Sequence, residues 1–223
     1  MTPPDPAAFS HVRTWVFDLD NTLYPPGADL FGQMHPRMAR FLMEELGVDA
    51  AEAGRLRDLY YHEHGTTLAG LIARHGTDSA RYLDEVHEID FSVLAPDPDL
   101  RDAVDALPGR RIVFTNGPRH YALRVLEGVG LTGCFAAVYG VEEAGMVSKP
   151  ALAAFETVFA LDGLDPRSAA MIEDDPRNLA VPHGMGLRTV LLAHDPLHAP
   201  PPPHVEHVTG DLTAFLRALV PAG

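Results

Sequence analysis

Apolar positions follow two alternating rhythms along the chain. Short runs, TWVF at 14–17, RRIVF at 110–114, AAVYG at 136–140 and SAAMI at 168–172, each stop at a turn or an acidic cluster. That pattern predicts buried strands ending in polar loops, and GLRTVLLA at 186–193 supplies a fifth. Between the runs, segments such as RHYALRVLEGVGL and KPALAAFETVFAL repeat apolar residues three and four apart, as on one face of a helix. Strands alternating with helices imply βα units and a mainly parallel sheet.

Residues 24–95 break this alternation. MHPRMARFLMEELG, AEAGRLRDLYYHEHG, TTLAGLIARHG and SARYLDEVHEI all have helical periodicity, are separated by Gly or polar turns, and contain no convincing strand. The block reads as a helical insertion after the first strand, with APDPDLRDAVDALPG as a return linker and short helix. APPPPH at 199–204 reads as a stiff surface loop before a last helix, GDLTAFLRALV, with Asp211 as its N-cap.

Composition narrows the class. The 223 residues suit one α/β domain with a smaller insertion, and no apolar run reaches the length of a membrane span. Acidic residues outnumber basic ones 31 to 17, for a net charge of −14, which argues against nucleic acid as a partner. Cys134 is the only cysteine and the N-terminus lacks a signal-peptide pattern, so a reducing cytoplasm is expected. One count stands apart: of the 17 basic residues only Lys149 is a lysine.

The strand ends carry the chemistry. Asp18 and Asp20 lie two apart in FDLDNT, so on a regular strand both carboxylates face one side. Glu173 and Asp174 at another strand end add negative charge, and Mg²⁺, which takes carboxylate, carbonyl and water oxygens, resolves the conflict. Thr115 and Asn116 offer a hydroxyl, an amide and backbone N–H groups to phosphate oxygens. Lys149 stands at a predicted helix start with Ser148 as candidate cap, where a compact cation and a helix terminus act together on an anion. Taken singly, these features read as solvated turns, an Asx or Thr turn and a surface charge. Their joint order reverses that reading.

FDLDNT at 17–22, FTNG at 114–117, SKP at 148–150 and EDDPRN at 173–178 resemble, in that order, the four motifs of the haloacid dehalogenase-like hydrolase superfamily. The resemblance implies a Rossmann-like, mainly parallel α/β core over 1–23 and 96–223, with an inserted all-helical cap over 24–95. It implies Asp18 as nucleophile and metal ligand. Asp20 becomes the general acid and then the base, with its backbone carbonyl on the metal. Thr115 and Asn116 bind phosphate, Lys149 anchors charge, Asp174 is the principal acidic ligand, and Glu173 assists directly or through water. Asp175 stands where many relatives carry serine and is placed away from the metal, while Asn178 is a candidate orienting residue. The carbon–halogen hydrolases of the superfamily lack the second acid, so Asp20 points to phosphoryl chemistry.

Substrate choice is expected in the inserted block. LYYHEHGTTLAGL at 59–71, with FDLDNTLYP, DFSVLAPDPDLR and FTNGPRHYALRVLEGVGL, resembles the pyrimidine 5′-nucleotidase family. This implies a nucleoside monophosphate, UMP or CMP, as the small phosphorylated partner. Tyr61, with Tyr60 as its alternative, can stack on a base, and His64, Thr66 and Thr67 can meet its polar edge. Ordinary packing and capping remain the bland reading of these residues and of His62. Alternatives are a phosphatase for phosphoglycolate or another small metabolite, a sugar-phosphate mutase or phosphotransferase, and a phosphorylation-responsive binding module. His194, His198, His204 and His207 bracket the proline loop without the cysteines or carboxylates of a zinc site.

Overall fold

A computed structural model describes residues 4–195 and 199–220. Among them the strands are β1 (Thr14–Phe17), β2 (Arg110–Phe114), β3 (Ala137–Tyr139), β4 (Ala169–Glu173), β5 (Arg188–Leu192) and β6 (His207–Thr209). They form one sheet in the order β3-β2-β1-β4-β5-β6, and every neighbouring pair is parallel. The chain first builds outward from β1 to β3, then crosses to β4 on the other side of β1. The order therefore reverses between β1 and β4, and ligands of open α/β sheets bind beyond the carboxyl ends of the strands at such a place.

β1 is buried along its whole length, and its alternating residues enter different layers. Trp15 and Phe17 join the packing of α5 (Pro98–Asp105), α6 (Arg119–Gly128) and α9 (Leu212–Leu219), whereas Val16 packs with Phe114, Phe155 and Met171 on the side of α7 (Leu152–Asp162). The short helix α8 (Ala180–Met185) precedes β5.

Between β1 and β2 lie α1 (Leu30–Leu46), α2 (Ala50–His64), α3 (Thr67–His75) and α4 (Ser79–Val86), with no strand among them. This is the expected Rossmann-like core with a helical cap. α2 and α3 approach closely because Gly70 lacks a Cβ, which would lie 2.4 Å from the Tyr60 side chain. Phe41 of α1 meets Tyr82 of α4 edge to face at 5.0 Å. No helix among the described residues is long and apolar enough to cross a membrane.

Two sequence expectations change. α1 begins at Leu30 instead of Met34, because Asp29 accepts the Gly32 N–H and starts the helix early. α7 begins at Leu152, with Ala151 at its N-cap position, so Lys149 and Ser148 lie in the preceding loop and Ser148 caps nothing. β6, between the proline loop and the last helix, is a three-residue edge strand, too short to display a period in the sequence. Asp211 does cap α9, accepting from the Ala214 N–H at 2.9 Å.

Candidate active site

Four strand ends and the loops beyond them converge above the β1–β4 junction. Asp18 follows β1 directly, and its N–H is held by the Ile172 carbonyl of β4 at 2.9 Å. Glu173 ends β4 and Asp174 follows it. Carboxylate oxygens of Asp18, Glu173 and Asp174 all lie within 4.8 Å of one another. Hard oxygen donors at this spacing, with too little positive charge among them, form a cluster able to chelate a divalent cation.

Lys149 enters this cluster from the loop before α7 and is 1% exposed. Its ammonium donates to Asp18 Oδ1 at 2.7 Å, Glu173 Oε1 at 2.8 Å and the Phe114 carbonyl at 3.0 Å, which uses all three of its N–H bonds. Burial alone would depress its pKa, but the Asp18 and Glu173 carboxylates outweigh burial and hold it above the ordinary value. Burial, then Glu173, drives the Asp18 carboxyl well above the usual range, with Lys149 opposing. Burial and the Glu173 charge push Asp174 up to about 7.

Glu173 is occupied on both oxygens. Oε1 also accepts from Asn178 at 2.6 Å, and Oε2 accepts from the Asp175 N–H at 2.8 Å. Asn178 thus orients Glu173. The Asp175 carboxylate turns outward to Arg177, and although burial raises its pKa, the Arg177 bonds bring it below the ordinary value. Asn21 donates to Asp174 at 3.4 Å and Thr22 to Asp18 at 3.2 Å.

Asp20 is bound on one oxygen by two phenols. Tyr24 and Tyr121 donate to its Oδ1 at 2.6 and 2.5 Å, while Thr115 reaches Oδ2 at 3.4 Å. Burial lifts the Asp20 carboxyl and these bonds oppose it, leaving a net rise. Burial followed by the Asp20 charge raises both phenols, so they remain protonated donors. Asn116 is engaged differently from the expectation of a phosphate-binding amide. Its side chain accepts the Lys149 N–H at 2.7 Å and donates to the Lys149 carbonyl at 3.1 Å, which ties the two loops together.

A cavity of about 550 Å³ opens from these carboxylates into the helical block, lined there by Phe31, Met34, His35, Met38, Arg57 and Asp58. Tyr61, Thr66 and Thr67 line it too. The Tyr61 ring lies under the Arg177 guanidinium at 4.7 Å, and its hydroxyl accepts from the same group. Thr66 caps α3 through the Ala69 N–H and donates to Ser148 at 3.4 Å, and Thr67 donates to the Arg57 carbonyl at 3.3 Å. His64 is not brought to the cavity. It lies three residues beyond Tyr61 on α2 and faces Arg74, which donates to it at 3.4 Å. Tyr60 is buried against His75, and His194 and His204 contact separate carbonyls, while His198 lies outside the described residues.

Tyr24, Tyr121, Arg57 and Asp58 were not found in the sequence. Tyr24 had a signal, since it follows Asp20 by four residues in the same turn. Tyr121 had none, being 101 residues from its partner.

A sequence model of the haloacid dehalogenase-like hydrolase family matches residues 12–186. The chain is similar to phosphate metabolism protein 8 of Saccharomyces cerevisiae, 28% identical over 205 residues, and spans 84% of its own length and 62% of that relative's. The fold is also similar to the magnesium-bound HAD hydrolase YfnB of Bacillus subtilis, with a TM-score of 0.58, 20% identity, and 93% and 98% of the two chains covered. L-2-haloacid dehalogenase of Xanthobacter autotrophicus gives a TM-score of 0.56 at 18% identity, covering 92% and 97%.

Proposed function

The chain belongs to the haloacid dehalogenase-like hydrolases, and we propose that it is a Mg²⁺-dependent phosphomonoesterase acting on pyrimidine 5′-nucleotides through an aspartyl phosphate. Residues 24–95 act as the cap, the rest as the core, in a cytoplasmic setting with no nucleic acid partner. The yeast relative is named for phosphate metabolism.

Asp18 attacks phosphorus while Asp20 protonates the departing hydroxyl, and Asp20 then removes a proton from the water that releases phosphate. Thr115 lies beside Asp20 to meet a phosphate oxygen. Lys149 acts on phosphate through its charge, since its N–H bonds are all used within the protein. Asp18, the Asp20 carbonyl and Asp174 would hold Mg²⁺, and Glu173, bonded on both oxygens, would reach it through water. The ion would supply charge stabilisation to the transferring phosphoryl group.

The observation that carries the substrate reading is electrostatic. Every Lys or Arg among the described residues lining the cavity is already paired: Arg57 with Asp58, Arg177 with Asp175, and Lys149 with Asp18 and Glu173. Burial, with Arg57 second, lowers the His35 pKa, and burial lowers that of His87 to about 4, so both stay neutral near pH 7. A second anion, such as the carboxylate of phosphoglycolate, finds no free cation. A neutral leaving group with an apolar ring and polar edges finds Phe31, Met34 and Met38 beside Arg57 and Asp58. Phosphate release from UMP, CMP, purine nucleotides, sugar phosphates and phosphoglycolate tests this. UMP and CMP are expected to exceed phosphoglycolate by about 10-fold or more in kcat/KM, the equivalent of one lost charge pairing. Equal turnover of phosphoglycolate would refute the reading.

A further inference from the structure

We propose that Tyr24 and Tyr121 are positioning residues that hold Asp20 so that Oδ2 alone exchanges the proton with substrate, an inference that rests on the reading of Asp20 as the proton carrier.

A carboxylate oxygen offers two lone pairs. On Asp20 Oδ1 both are taken, by Tyr24 at 2.6 Å and Tyr121 at 2.5 Å. The two phenol oxygens come within 3.3 Å of each other because they share this acceptor. Oδ2 keeps only the long contact from Thr115 at 3.4 Å, so it is the oxygen with room for a proton. It also faces the hydroxyl placed to meet phosphate.

The phenols cannot readily turn away. Tyr24 is 4% exposed and Tyr121 is fully buried. Tyr121 packs against His87 at 4.9 Å and Phe91 at 5.8 Å between ring centres, and the His87 ring is itself held by the Leu83 carbonyl at 2.8 Å. Tyr24 comes from the turn after β1 and Tyr121 from the first turn of α6. Two elements therefore fix one carboxylate plane.

In the first half-reaction an Asp18 carboxylate oxygen bonds phosphorus as the P–O(alkyl) bond breaks; the electron pair of the broken bond stays on the leaving oxygen, and the Asp20 Oδ2 proton joins that oxygen. In the second, Oδ2 takes a proton from water as the water oxygen bonds phosphorus and Asp18 is released. A carboxylate free to rotate would present the wrong oxygen for part of the time. The loss would be felt only where the leaving group needs the proton.

The test compares kcat/KM, which reads only through formation of the phosphoenzyme, for UMP and for p-nitrophenyl phosphate, whose phenolate departs without protonation. Tyr24→Phe with Tyr121→Phe is expected to lower kcat/KM for UMP by about 10-fold to 100-fold, and for p-nitrophenyl phosphate by less than about threefold. Equal losses on both esters would reduce the tyrosines to packing and overturn the proposal. If the double variant does not fold, each single variant keeps one donor and carries the same comparison. Asp20→Asn separates the two levels. If it discriminates between the esters while the tyrosine variants do not, only the positioning role fails. If Asp20→Asn loses both equally, or the wild-type protein releases phosphate from no monoester, the reading of Asp20 fails and the positioning role with it.

Discussion

Lys149 carries the only compact cation in a site with four nearby carboxylates, and its three N–H bonds meet three acceptors. Lys149→Met would leave Asp18 and Glu173 buried without their partner, at a cost of about 3–5 kcal/mol, and a drop in Tm should accompany loss of turnover. Lys149→Arg keeps the charge but not the fit: at a fully buried position the larger planar group must displace packed neighbours, and a cost of about 1–3 kcal/mol is expected in chemical denaturation. Asp18 behaves oppositely. Burial and Glu173 disfavour its charged form more than Lys149 favours it, so Asp18→Asn should abolish phosphate release while leaving the metal-free Tm unchanged or higher. A lower Tm would show that Lys149 depends on Asp18 more than on Glu173.

The contact of the α2 end with the core is made by small groups at short range. Gly65 has φ of 86°, and a Cβ there would lie 3.0 Å from the Lys149 carbonyl and 3.1 Å from Pro150. Gly65→Ala should therefore cost about 1 kcal/mol in stability and displace Tyr61 and Thr66 from Arg177 and Ser148, raising KM for nucleotides more than for p-nitrophenyl phosphate. Steady-state kinetics on both esters checks it. Elements of this kind explain what was legible in the sequence. β1 and β4 showed as apolar runs because they are buried along their whole length, β2 and β5 because their later residues are, and β3 showed although it is a half-buried edge strand; the site carboxylates showed because they sit at the ends of such runs. β6 is three residues at an edge, and the helix boundary at Lys149 was misread because Pro150 imitates a helix start. His64 shared a motif with Tyr61, but its ring turns to Tyr60 and Arg74, contacts that the motif does not show. The Tyr121 bond to Asp20, the Lys149 bonds to Asp18 and Glu173 and the Arg177 bond to Tyr61 join residues far apart in sequence, where periodicity says nothing.

Charge on the whole molecule sets its response to pH and metal. Folding raises the Asp174 carboxyl to about 7, from an ordinary value near 3.8, and raises Asp18 as well. Between those values the folded protein binds more protons than the unfolded chain, so stability falls as pH rises through this window. The metal-free protein is expected to lose Tm from pH 5 to pH 8. Mg²⁺ should restore it, most strongly above pH 7 where protons no longer compete for Asp174. Thermal denaturation at several pH values with and without Mg²⁺ checks both parts, and a metal-free Tm that rises with pH would contradict the carboxylate account.

The four helices leave and rejoin the chain between β1 and β2, which are hydrogen-bonded neighbours. The sheet is complete without them, so a different helical block can be spliced in at one place without rethreading any strand. The exchange is modular in topology but not in chemistry. His87 and Phe91, at the far end of the block, stand behind Tyr121, so a transplanted specificity module must bring its own backing for the phenol that steadies Asp20.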